Sequence, residues 1–293
     1  MISHLAAMVQ HSPASAPSRQ GGAPQGSPAP AAASLTAFGS GPAQPPADVA
    51  VVIPTTLRPT VVAAVRSVFA QDLAGRIQLL VGVDRPEHPA EPLLAALRGA
   101  PAHCRALLLD PGYSTSVRHG GLHPARDGGV LRTVLTYLAN APLVAYLDDD
   151  NWWAPDHLSS LVRAIEGKGW AWSLRWFVHP RSRRPVAVDD WESVGPGRGV
   201  FNAKFGGFVD PSCLMIDKLR CDDVIRWWGI PLKGDPVAMS ADRHVFHWLN
   251  ASQPGAGSGR ATTFYVMNEG DGLHRMRMAR LGARYEEAGR AEP

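Results

Sequence analysis

Four short, continuous runs of aliphatic residues recur along the first half of the chain, separated by stretches with helical spacing, and this alternation restricts the fold more than any other feature. The runs are Val49-Ala50-Val51-Val52-Ile53, Ile77-Gln78-Leu79-Leu80-Val81-Gly82-Val83, Arg105 to Leu109, and Leu143-Val144-Ala145-Tyr146-Leu147. Runs this short and apolar at both alternate positions read as strands buried on two faces. Between the first two, Val61, Val65, Val68 and Phe69 recur at helical spacing behind Pro59, which suits a first helical position. A second helix is expected over about Glu91 to Arg98 and a third from about Gly129 to Ala139, with Val130, Val134, Leu135 and Leu138 as its apolar face. The pattern predicts an α/β fold, a single domain built on a mainly parallel sheet flanked by helices. Functional loops of such sheets lie at the carboxyl ends of the strands. Thr55 to Arg58, Asp84 and Asp148 stand at three such ends and are expected to share one crevice.

After residue 150 the pattern changes. A helix opens at Pro155-Asp156-His157-Leu158, and two alternating runs, Ala171 to Val178 and Val186 to Trp191, read as an antiparallel hairpin around a basic turn. Ser212 to Asp217 reads as a strand, Lys218 to Trp228 and Ala241 to Leu249 as helices, Thr262 to Val266 as a last strand, and Leu273 to about Ala288 as a terminal amphipathic helix. This half forms a smaller antiparallel portion of the domain, with no linker-like break and no internal repeat.

Composition narrows the class. Residues 1–47 are dominated by Ala, Pro, Gly, Ser and Gln, and order is expected to begin at Val49. A segment of that kind buries too little surface to offset its ordering entropy and reads as disordered. Leu5-Ala6-Ala7-Met8-Val9 is too short and lacks the cationic lead of a signal peptide. No stretch of about 18 apolar residues marks a transmembrane helix. A net charge of +3, with basic residues scattered apart from Arg181-Ser182-Arg183-Arg184 and the tail after His274, gives no case for nucleic acid. Those two runs read as solvated faces, with association at an acidic membrane surface left open. Cys104, Cys213 and Cys221 form no CxxC pair, which argues against a disulfide framework and fits a cytoplasmic protein.

The residues with the clearest chemical demand are Asp148-Asp149-Asp150. Adjacent carboxylates after an apolar strand repel one another and raise one another's pKa. A divalent cation, Mn²⁺ or Mg²⁺, removes that penalty, and such ions take one or two carboxylates plus phosphate oxygens and water. On an extended chain Asp148 and Asp150 would point the same way. A solvated acidic turn, or a cap for the helix near Pro155, is the competing reading. No Gly-rich dinucleotide or P-loop motif occurs.

The segment from Leu147 through Asp148-Asp149-Asp150-Asn151-Trp152-Trp153 to Leu158 resembles the DxD segment of glycosyltransferase family 2, including the aromatic pair and the Pro-Asp helix start. The first strand with Pro54-Thr55-Thr56-Leu57-Arg58 resembles that family's N-terminal strand and turn, with Leu57 where Asn is common. Asp84 resembles its nucleotide-base aspartate, and Arg132, sixteen residues before Asp148, matches the spacing of its helix-start arginine. The resemblance is good over Val49 to Leu158 and looser beyond. It implies a GT-A fold and inverting transfer from a nucleotide-sugar, UDP-linked by family frequency, to a hydroxyl on a glycan or small-molecule acceptor. It further implies donor contacts from Pro54, Thr55, Arg58, Asp84, Arg132, Asp148 and Asp149, with Asp150 and His274 as metal ligands. Ser240-Ala241-Asp242-Arg243 resembles the family's base element with Ala241 in place of a Glu, which makes Asp242 the expected base. Asp271 is the alternative to His274, and the loop Gly206 to Ser212 falls where the family places its acceptor-side loop. A non-catalytic binding protein on the same fold and a nucleotidyltransferase remain as rival readings.

Overall fold

A computed structural model of the chain describes residues 33–39, 45–125, 128–231 and 241–290. In chain order the elements are β1 (Ser34–Phe38), β2 (Val49–Thr55), α1 (Val61–Phe69), β3 (Ile77–Val83), α2 (Glu91–Arg98), β4 (Cys104–Asp110), α3 (Gly129–Leu138), β5 (Leu143–Tyr146) and β6 (Trp152–Trp153). The second half adds α4 (His157–Ala164), β7 (Trp170–Val178), β8 (Pro185–Val188), β9 (Gly195–Pro196), α5 (Asn202–Phe205), β10 (Gly207–Phe208), β11 (Leu214–Asp217), α6 (Asp222–Ile225), α7 (Ala241–Ser252), β12 (Gly255–Val266) and α8 (His274–Gly289). The α/β architecture expected from the alternation is present.

One large sheet runs in the order β1-β4-β3-β2-β5-β11-β7-β12-β6, with β8 against β7. Strands β4, β3, β2 and β5 are parallel. Beyond them β11 is antiparallel to both β5 and β7, and β12 returns parallel to β7. The sheet separates two apolar layers because alternate side chains of a strand point to opposite faces. Val49, Val51 and Ile53 of β2 pack with residues of α1, α2 and α4, while Ala50 and Val52 pack with α3, α6 and α7. A smaller cluster of Phe177, Ala187, Met267 and Leu281 seats α8 against β7 and β8.

Three local expectations need correction. The segment read as disordered contributes β1, which pairs antiparallel with β4 from Ser34↔Asp110 to Phe38↔Ala106. Its side chains are mostly exposed, so it is held by main-chain hydrogen bonds that leave no hydrophobic pattern; residues 1–32 and 40–44 lie outside the described residues. The apolar face of α3 is also rotated from the expected one. Leu131, Arg132, Leu135 and Thr136 face inward, while Val134 and Leu138 are exposed. The acidic triplet itself forms a turn rather than a continuation of the strand.

Candidate active site

The carboxyl ends of β2, β3 and β5 open onto one cleft of about 960 Å³, within the range of small-molecule sites. Pro54, Thr55, Arg58, Asp84, Arg132, Asp148, Asp149, Asp150 and Asp242 all line it. His274 does not.

The acidic turn is divided among three jobs. Arg132, inward-facing on α3, donates through Nη2 to Asp148 Oδ1, and this contact accounts for the rotation of that helix. Asp149 is buried and accepts from the Thr55 hydroxyl at 2.7 Å and from Arg58 Nη2. Asp150 accepts from Arg58 Nη1 at 3.1 Å and keeps 36% of its side chain open. Ser212, just before β11, braces the turn from behind. Its hydroxyl accepts from the Asp148 N–H at 3.2 Å and Asn151 Nδ2 at 3.1 Å, and its carbonyl accepts from Trp153 Nε1 at 2.7 Å.

This charge set fits a divalent cation. The three carboxylates of the turn are ion-paired with two guanidiniums, Arg58 and Arg132, while a third, Arg183, reaches only the Asp150 carbonyl oxygen. Burial, and after it the Asp148 carboxylate, lift the Asp150 carboxyl to about 6 against the pull of Arg58. Asp148 and Asp150 are the oxygens that face the cleft with least commitment to protein donors. Among the described residues no group of three or more His, Cys, Asp or Glu side chains is arranged to hold a metal ion. A cation here would therefore rest on one or two carboxylates and complete its shell with phosphate oxygens and water. His274, expected as a third ligand, is the first residue of α8; its ring lies 6.1 Å edge-on from Tyr285. Asp271 does line the cleft, but is ion-paired with Arg277 Nη2 at 3.0 Å and accepts the Leu273 N–H at 3.0 Å.

The flanking segments shape the donor half. Asp84 Oδ1 accepts the Thr115 N–H at 2.9 Å, and its own N–H donates to the Thr55 carbonyl at 2.8 Å, tying the ends of β2 and β3 to the loop after β4. Gly129 opens α3 so close to the other wall that a Cβ there would stand 2.2 Å from the Trp228 carbonyl oxygen. Leu57 has φ 66, the left-handed region that Asn tolerates better than Leu. Its side chain is buried in the layer beneath α1 rather than turned to the cleft.

The opposite wall was only partly legible. Asp242 stands in the first turn of α7 and its Oδ1 accepts the Arg243 N–H at 2.6 Å; Ser240 lies outside the described residues. Phe201, Lys204, Phe205 and Phe208, around α5, also face the cleft. Beneath them is a buried ion network that spacing did not signal. Arg175 on β7 donates to Asp189 at 2.8 Å, Glu192 at 2.8 Å and Asp210 at 2.6 Å. Arg277 on α8 donates twice to Glu192, at 2.7 and 2.8 Å. Burial works against the Asp189 carboxylate, yet Arg175 and three backbone N–H groups hold it below the usual range. The partners are separated by 14 to 85 positions, so only the folded chain brings them together.

No family model matches the chain, and no curated protein sequence matches it. Its fold is similar to that of S. aureus TarS, with TM-score 0.55 at 13% identity over 79% of this chain and 38% of that one. TarS residues 1–349 in complex with UDP-GlcNAc match with TM-score 0.55 at 12% identity, over 81% and 66%. The mannosyltransferase PcManGT from Pyrobaculum calidifontis, in complex with GDP-Man and Mn²⁺, matches with TM-score 0.53 at 14% identity, over 85% and 66%. The chain thus spans from well under half to about two thirds of the length of these neighbours. At such low identity the likeness concerns the fold: the chain has the GT-A-like fold of these glycosyltransferases.

Proposed function

We propose that this protein is an inverting glycosyltransferase of the family 2 type, moving a sugar from a UDP- or GDP-linked donor to an acceptor hydroxyl. The observation that carries this reading is the pairing, across one cleft, of a turn of three carboxylates with a carboxylate on the facing helix. In this reading Asp84 and the loop after β4 hold the nucleoside, and Thr55, Arg58 and Arg132 orient the acidic turn toward the diphosphate. Asp148 and Asp150 would hold Mn²⁺ or Mg²⁺, which when bound offsets the charge of the departing diphosphate. Asp242 accepts the proton of the acceptor hydroxyl as its oxygen bonds to the anomeric carbon. The bond from that carbon to the phosphate oxygen breaks, the electron pair leaves with the nucleoside diphosphate, and configuration inverts. The Mn²⁺-bound mannosyltransferase and the UDP-GlcNAc-bound TarS support a metal-assisted nucleotide-sugar site on this fold.

Release of UDP or GDP from UDP-GlcNAc or GDP-mannose, measured with Mn²⁺ and a panel of sugar acceptors, tests the reading. Turnover is expected in the wild type and about a 10²–10⁴-fold loss in Asp242→Asn, the range for removal of a general base. Nucleotide binding with no turnover of any donor, or an Asp242→Asn variant as fast as wild type, would sink it.

A further inference from the structure

Arg243, the residue after Asp242, lines the cleft yet is nine-tenths buried. Its Nε and Nη1 are buried with no hydrogen-bond partner, and among the described residues no ion pair reaches the guanidinium. Instead its central carbon lies 4.1, 4.8 and 5.1 Å from the ring centres of Phe201, Phe205 and Phe208. Three aromatic faces attract a cation, but they do not satisfy N–H donors, and a buried charge without hydrogen bonds is costly. A packing role alone would be served by Met or Leu, which carry no such penalty. Lys204 on α5 is exposed in the same wall, its ammonium 4.9 Å from the Phe205 ring centre, and adds a second positive charge.

We propose that Arg243, assisted by Lys204, binds an anionic group carried by the acceptor, so that the enzyme glycosylates a phosphorylated or carboxylated substrate rather than a neutral one. This rests on the glycosyltransferase reading above, which makes Asp242 the base. Both residues line the same cleft, so the charged group would lie on the wall that carries the base. The planar guanidinium fork matches two oxygens of a phosphate or carboxylate, and the phenylalanine cage fixes its direction. The donor's diphosphate falls to the acidic turn and the cation it would hold on the opposite wall, where Arg58 and Arg132 are already paired with the turn's carboxylates.

The test is calorimetric titration of the full-length protein, saturated with UDP or GDP and Mn²⁺, with glucose, glucose 6-phosphate and glucuronate. The nucleotide titration is read first, and its failure counts against the glycosyltransferase reading independently of the sugar titrations. With nucleotide bound, at least one charged probe is expected to bind tenfold or more tighter than glucose; the one preferred tells phosphate from carboxylate. Arg243→Met should erase that preference, Arg243→Lys should keep part of it, and Lys204→Met, at an exposed position, should weaken it two- to threefold. Should Arg243→Met fail to fold, the two lysine-related variants decide. Equal binding of charged and neutral probes, no binding of any, or a preference that survives these variants overturns the proposal. So does a loss of nucleotide affinity in Arg243→Met without loss of the preference, since that would assign the cation to the donor.

Discussion

Residues behind the cleft hold its acidic turn in place, and Ser212 is the plainest case. One hydroxyl serves both the Asp148 N–H and the Asn151 amide, so Ser212→Ala leaves two donors behind the acidic turn unsatisfied. The expected cost is about 1–3 kcal/mol in chemical denaturation, together with weaker Mn²⁺-dependent nucleotide binding. Unchanged stability would mean that water replaces the hydroxyl without loss. His157 makes a pH prediction. It is fully buried, stacked on Trp153 with ring centres 4.1 Å apart, and its Nδ1 lies 2.8 Å from the Thr262 hydroxyl. Burial drives its pKa down to about 3. The folded state therefore keeps this imidazole neutral while the unfolded chain protonates it near 6.5, so stability is lost as pH falls below the unfolded value and levels off near 3. The loss from this group is about 1.4 kcal/mol per pH unit in that window. A His157→Phe variant should show a shallower decline between about pH 6.5 and 4 in urea melts; parallel curves would contradict the assignment.

At the scale of elements, what was readable in the sequence was what local pattern encodes. β3 and α2 begin and end where their apolar runs do, because both are closed by local signals. The sixteen-residue spacing singled out Arg132 as a site residue, but its direct pairing with Asp148 emerges only in the fold. The face of α3 was misjudged for the same reason: hydrophobicity favoured Val134 and Leu138, but pairing Arg132 with Asp148 turns them outward. β1 and the Arg175 network were not legible, since one depends on backbone hydrogen bonds and the other on carboxylates from distant segments. That network joins β7, the loop after β8 and α8 beneath the phenylalanine-lined wall of the cleft. Removing Arg175 would leave Asp189 and Asp210 buried without a guanidinium and Glu192 with Arg277 alone, so Arg175→Met is expected to destabilise by about 3–5 kcal/mol, visible as a fall in Tm of roughly 10 °C. A fall of only a degree or two would show that the carboxylates take up protons or water at little cost.

Across the whole molecule, the sheet divides the labour. Its parallel half presents strand ends and the acidic turn, and its mixed half carries Asp242, Arg243 and the phenylalanine wall to the other side of the same cleft. The net charge of +3 gave no sign of this arrangement, because a sum over the chain carries no positions. Among the described residues no helix is long and apolar enough to cross a membrane. The central claim is that the acidic turn binds a nucleoside diphosphate through a divalent cation, and calorimetric titration of UDP and GDP with and without Mn²⁺ tests it most directly. The wild type should bind one of them at least tenfold tighter with Mn²⁺, and Asp150→Asn should lose that gain. Equal affinity with and without the metal, or a gain that persists in Asp150→Asn, would contradict it.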